Sequence, residues 1–422
     1  MIYHDTLPNG MRIVGETMEN YRSVSIGVWI GAGSVYENKQ ESGAAHFIEH
    51  MLFKGTKTRS AVRIAEEIDA VGGNLNAFTS KECTCFYVKV LEENMELALN
   101  ILADLLCNSR LDSEDIEREK GVICEEIAMN DDSPEDVVHE TLCQTFYEGD
   151  PLAEPVLGSI QSVRSFTRND LVNYMSRLYR PDNMVISVAG CFSPEKFREA
   201  ALKAFTLESR VQNSDVAYGK PSGGRKIKFI EKDVEQTHIA LGFPGFASEQ
   251  EGQYPLYVLN NAIGGSMSSR LFQRIRETKG MAYSVYSAPS FYSTTGYVTL
   301  YAGTGEDRAV EVCELLLNEY DKIKRSGITN EELERSKSQM RTGYLLGRES
   351  TSAHSSSIGR CELLNTKIRS DEEILAKINA VTADDCMKIL PVICDFDNMT
   401  AIFVGRLKKY EKTLRSLLNE KY

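Results

Sequence analysis

The sequence predicts an α+β protein built from two tandem copies of one unit, each a mainly antiparallel sheet with helices laid on one face. Three observations predict it. The first is internal similarity: FTRNDLVNYMSRLYRPDNMVISVAG (166–190) aligns with VTADDCMKILPVICDFDNMTAIFVG (381–405), pairing Thr167 with Thr382, Asn183 with Asn398 and Gly190 with Gly405 at an offset of 215. LDSEDIEREKG (111–121) likewise matches ITNEELERSKS (328–338) at an offset of 217, and VSIGVWIGAG resembles THIALGFPGF a similar distance on. The second is a repeated order of hydrophobic periods, in which strand-like alternation gives way to helical spacing and returns. The third is punctuation. VQNSDVAYGKPSGGRK (211–226) is polar and carries Gly and Ser, which reads as a linker between a first repeat, 1–210, and a second, 227–422.

Within each copy the order is an apolar strand, a helix, a strand pair, two helices and a closing strand. In the first copy VSIGVWI is the apolar strand, and the opening helix follows, capped by Ser42 and stopped by Gly55. NLNAFTSKECTCFYVKVL forms the strand pair, a later helix is opened by Asp112 and Ser113, and NMVISVAG closes the unit. In the second copy RIRETKGMAYSVYS places Arg276 in the last turn of a helix, Gly280 at its stop and Tyr283 at the start of the next strand.

Composition narrows the function. With 422 residues, 42% hydrophobic and 26% charged, the chain is of ordinary globular make-up and long enough for two or three domains. A formal charge of −13 argues against a grip on nucleic acid, which needs clustered Lys and Arg. No apolar run approaches the roughly 18 residues of a membrane span, and the N-terminal residues lack a signal pattern, so the expected location is cytoplasmic, with no membrane partner. Ten cysteines lack paired CxxC spacing, and most are read as reduced packing residues; Cys83 and Cys85 share a strand face, where packing is preferred over metal binding because no second cysteine pair follows at finger spacing.

The opening helix, AAHFIEHMLF, sets His46, Glu49 and His50 in an otherwise apolar run. Buried polar groups without partners cost several kcal/mol, so these three must be bonded to something. Sliding the helix by about 210 lays His46, Glu49 and His50 over Leu256, Leu259 and Asn260, and Glu119 and Glu126 over Ser336 and Gly343. The fold therefore does not require this polar set. His46 and His50 are one helical turn apart and can reach one ion, and neutral imidazoles suit Zn²⁺. In EREKGVICEEI, Glu119 and Glu126 are seven apart on one face: Glu126 is assigned as third ligand and Glu119 as a carboxylate holding a histidine tautomer, with Glu125 the alternative ligand. His139 could support such a site or be a helix-surface histidine; His4, His238 and His354 show no chemical spacing.

The order H-x-x-E-H is that of the inverzincins. HFIEHMLFKGT with a glutamate at the spacing of Glu126, together with LPNGMRIV, LNAFTS and LFQRIRETKGMAYSV, resembles the pitrilysin and insulinase family across essentially the whole chain, most of all its processing-peptidase catalytic subunits and their single-chain bacterial relatives. The resemblance implies a zinc endopeptidase with one Zn²⁺ per chain and Glu49 as general base. It implies that the stretch Asn76, Ala77, Phe78 to Ser80 is an edge strand pairing with an extended peptide substrate, and that Arg276 and Tyr283 hold the substrate and its oxyanion. It further implies a homodimer enclosing a chamber. The competing reading is a structural or assembly subunit of the same fold without turnover.

Overall fold

A computed structural model describes residues 2–208 and 216–420; part of the expected linker, 211–215, lies outside the described residues. Two compact units result. The first comprises Met1–Ile127, Glu154–Ala217 and Leu345–Ile368, and the second Ala128–Ala153, Tyr218–Tyr344 and Arg369–Tyr422. Each unit thus includes a segment from the far side of the chain, which contiguous repeats do not capture.

The first unit holds a six-stranded sheet from β1 (Ile2–Thr6), β2 (Arg12–Thr17), β3 (Ser23–Ile30), β4 (Asn74–Thr79), β5 (Thr84–Leu91) and β6 (Met184–Gly190), in the order β1-β2-β6-β3-β5-β4. All its pairings are antiparallel except β2 with β6. The second unit holds β7 (Lys226–Glu231), β8 (Thr237–Pro244), β9 (Ala282–Phe291), β10 (Gly296–Thr304) and β11 (Thr400–Gly405), in the order β7-β11-β8-β10-β9, parallel only between β7 and β11. Dropping β1 makes the two topologies the same. β4 and β9 are the corresponding edge strands.

Helices were expected on one face of each sheet, and one further helix occupies the other face. β3 carries Ile26, Val28 and Ile30 on one side and Ser25, Gly27 and Trp29 on the other, and every one of them is buried. A strand buried on both faces needs two covers. The inner side packs on the main core with Phe47, Ile48, Leu102 and Leu105. The outer side is covered by the helix Thr351–Leu363: Ile358 and Leu363 join Val14, Trp29, Cys83, Cys85 and Val185 in a small cluster. Trp29 Nε1 donates to Ser187 Oγ at 2.9 Å, and Ser355 Oγ lies 2.9 Å from Ser187 Oγ. A Cβ at Gly359 would fall 2.1 Å from Trp29 Nε1, so only glycine lets the helix lie this close. In the second unit the helix Pro134–Phe146 packs on β8 and β11 in the corresponding manner.

The ten cysteines, all among the described residues, form no disulfide, and six of them are buried. No helix among the described residues is long and apolar enough to cross a membrane.

Candidate metal centre

The opening helix spans Ala44–Leu52 and buries Phe47, Ile48, Met51 and Leu52 completely or nearly so. At about 1.5–3 kcal/mol each, these four supply on the order of 6–12 kcal/mol of anchoring, enough to outweigh the several kcal/mol cost of burying polar groups on the same helix. Its start differs from expectation. The N-cap is Gly43 at φ +90°, without a side-chain cap, and Ser42 does not fill that role. A Cβ at Gly43 would meet Leu157 O at 2.7 Å. The orphan N–H groups are satisfied instead by the buried carboxylate of Glu37, which accepts from Gly43 N at 2.7 Å and Ala45 N at 2.8 Å. The helix also ends before Gly55, at Leu52.

His46 and His50 project from this helix with ring centroids 4.6 Å apart. The helix Ser113–Asp132 presents Glu119 and Glu126 toward them. His46 Nε2 lies 3.6 Å from Glu126 Oε1, His50 Nε2 lies 3.4 Å from Glu126 Oε2, and one ligand atom from each residue falls within 4.8 Å of the others. Ligands held at 2.0–2.1 Å around a tetrahedral ion are roughly 3.3–3.4 Å apart, so this donor set fits zinc. Glu125, the alternative, is exposed and outside the group.

Electrostatics keep the two imidazoles distinct. Burial, then the neighbouring His50, pull His46 down to about 4, which keeps it neutral and able to ligate at neutral pH. Burial also pulls on His50, but the hydrogen bond and charge of Glu119, with Glu126 and Glu49, overcome it and raise the group. His50 Nδ1 donates to Glu119 Oε1 at 2.8 Å, which turns the Nε2 lone pair toward Glu126. Glu119 is buried, and although burial opposes ionisation, His50 and Lys54 hold its carboxyl below the usual range. Lys54 Nζ stands 2.7 Å from Glu119 Oε2. Glu49 faces the same space without belonging to the ligand group; burial pushes it up, while Thr79 Oγ, donating to Glu49 Oε2 at 2.5 Å, draws it back.

Sequence reasoning passed over Glu37, Lys54 and the individual role of Thr79. Lys54 alone left a signal, standing four residues after His50. Asn76, Ala77 and Phe78 lie on β4, which among the described residues pairs with β5 alone, and Phe78 is partly exposed. In the second unit Arg276 and Tyr283 come together: the guanidinium sits 4.8 Å from the Tyr283 ring and 4.7 Å from that of Phe272. The segment Phe272–Thr278 is a π-helix instead of the ordinary helix expected, and Tyr283 is 76% exposed. His139 is half-buried in the second unit, with Nε2 2.7 Å from Tyr286 Oη. At the positions matching the histidines, Leu256 and Leu259 are fully buried and Asn260 accepts from Ser287 Oγ, so the second copy fills its core where the first builds its polar group.

Residues 12–159 match the insulinase (peptidase family M16) profile, and residues 165–340 match that of the peptidase M16 inactive domain. An uncharacterized zinc protease, YmxG, of Bacillus subtilis is 45% identical over 91% of this chain and 93% of its own length. An uncharacterized zinc protease of Mycobacterium tuberculosis is 40% identical over 90% of this chain and 88% of its own. The crystal structure of a protease from Helicobacter pylori shares the fold, with a TM-score of 0.90 over 96% of this chain and 99% of that one at 23% identity. A fold repeated at that fidelity, together with relatives at 40–45% identity along nearly the whole length, places the chain in the insulinase family of peptidases, family M16.

Proposed function

We propose that the protein is a zinc-dependent endopeptidase for extended peptides, in which His46, His50 and Glu126 hold one Zn²⁺ and Glu49 is the general base. The observation that carries this reading is the spacing of the two imidazole Nε2 atoms about the Glu126 carboxylate, 3.6 and 3.4 Å, with a second carboxylate beside them that is not a ligand. When bound, zinc supplies the Lewis acidity that makes water a competent nucleophile near neutral pH. The chain's own groups do the rest. Glu49 takes the proton from the attacking water and delivers it to the leaving amine. Glu119 and Lys54 fix the His50 tautomer. The free edge of β4, at Asn76, Ala77 and Phe78, receives the peptide as an added strand, a mode that reads backbone more than side chains. Arg276, its guanidinium between the Phe272 and Tyr283 rings and its Nε 3.8 Å from Glu277 Oε1, offers its terminal N–H groups to a substrate carbonyl, and Tyr283 offers an exposed hydroxyl to the oxyanion.

The deciding experiment measures metal and turnover on one preparation. About one zinc per chain, peptide cleavage abolished by a chelator and restored by Zn²⁺, is the expected result; full activity after verified metal removal overturns the reading. Glu49→Gln should keep zinc and lose turnover, whereas Glu126→Gln should lose both. Release of zinc by Glu125→Gln instead would move the ligand by one residue. A zinc-loaded chain that cleaves no peptide would favour the assembly-subunit reading. Because one chain carries both the zinc set and the Arg276 and Tyr283 pair, a processing-type peptidase built as a homodimer needs no second gene product. Mixing Glu49→Gln with Tyr283→Phe chains tests that arrangement: recovered activity supports pairing, and full activity in a monomer refutes it.

A further inference from the structure

We propose that Thr79 is a positioning residue that aims the Glu49 carboxylate, so that the strand expected to receive the peptide also sets the base; the proposal rests on the peptidase reading above. Thr79 is the last residue of β4, and its cross-strand partner in the antiparallel register is Thr84 of β5. Their hydroxyl oxygens are 3.3 Å apart. Thr84 is fully buried and donates its one proton to the Ala32 carbonyl at 2.8 Å. Thr84 can therefore only accept from Thr79, and the carboxylate outcompetes it: the Thr79 proton goes to Glu49 Oε2, 2.5 Å away against 3.3 Å to the Thr84 oxygen.

The arrangement does more than satisfy a half-buried acid. Holding Oε2 through a short charge-assisted bond fixes the carboxylate plane and leaves Oε1 as the oxygen that can meet a proton. The register makes this possible. A one-residue slip between β4 and β5 would turn the Thr79 side chain to the opposite face and release Glu49. A peptide added along β4 is aligned by the backbone of the same strand, so its scissile bond and the base share one frame. Misplacement of a reacting group by about 1 Å can cost on the order of 100-fold in rate.

The test compares Thr79→Val, which keeps shape and removes the hydroxyl, with Thr79→Ser, which keeps the hydroxyl. Thr79→Val should lower kcat about 10–100-fold, leave KM within about 2-fold and retain wild-type zinc content, and Thr79→Ser should recover kcat to within about 3-fold. In a Glu49→Gln background, Thr79→Val should add no further loss, because the two residues act as a unit. Crystal structures of the metal-free proteins provide a readout independent of turnover: Glu49 should hold one rotamer in the wild type and leave it in Thr79→Val, with His46 and His50 unmoved. Wild-type kcat in Thr79→Val, a loss confined to KM or zinc content, failure of serine to rescue, or an unchanged Glu49 rotamer would each overturn the proposal. If the wild type shows no Glu49-dependent cleavage, the peptidase reading fails, and the rotamer comparison still decides whether Thr79 positions the side chain.

Discussion

Single residues around the histidine helix act through others. Glu37 takes the place of a capping side chain by spending both carboxylate oxygens on the N–H groups of Gly43 and Ala45. Glu37→Ala leaves two buried donors unpaired and should destabilise the protein by about 2–4 kcal/mol, read as a lower denaturant midpoint. An unchanged midpoint would mean that water replaces the carboxylate. Lys54 steadies Glu119 from the side opposite His50. Lys54→Met should therefore weaken zinc binding by about 10-fold in competition with a chelator while leaving the helix folded, since partners of ligating histidines typically contribute that much. Affinity equal to wild type would show that Glu119 holds the imidazole unaided.

At the scale of elements, much of the candidate site was legible because its chemistry lies in local spacing. His46 and His50 at i and i+4, and Glu119 and Glu126 at seven, map directly onto two helices. What was not legible came from elsewhere in the chain. The Glu37 cap crosses a loop, and nothing in Ser42 says that a glycine at positive φ will precede the helix. The second cover on β3 was not legible, because the face it buries carries Ser25 and Gly27 beside Trp29, a pattern that reads equally well as a solvated face. The π-helix at Phe272–Thr278 has no period that a short segment reveals. Its start is secured by Arg270, which donates to both Glu332 oxygens at 2.6 and 2.7 Å and ties it to the helix Asn330–Gly347. Burial opposes ionisation of Glu332, but Arg270 and the Thr329 N–H prevail and hold it at about 2 against an ordinary 4.5. Because the folded pKa is depressed, this contribution is complete above about pH 4.5 and disappears as pH falls toward 2. Glu332→Gln should thus cost about 1–3 kcal/mol at pH 7 and progressively less toward pH 2–3, measured as the difference in urea midpoints between variant and wild type. A pH-independent difference would assign the loss to packing.

At the scale of the whole molecule, similar halves of the sequence do not correspond to separable bodies. The first unit needs Leu345–Ile368, because the helix Thr351–Leu363 covers Trp29 and Ser187. A fragment ending at 208 should expose that face and aggregate or bind a hydrophobic dye, and a peptide spanning 345–368 added in trans should suppress both. A monodisperse fragment with a wild-type-like near-ultraviolet spectrum would contradict this. The same dependence sets a timetable for the newborn chain. After Ala217 leaves the ribosome, roughly 130 further residues must be made before Leu345 appears, a wait of about 6–25 s at 5–20 residues per second. For that interval the outer face of the first unit's sheet is uncovered, with Trp29 and Val185 open to whatever nascent chain or chaperone is nearby. Completion of the metal-binding group's own unit is thereby deferred: translation must run through Ile368, well into the second copy, before the unit that carries His46 and His50 can finish folding.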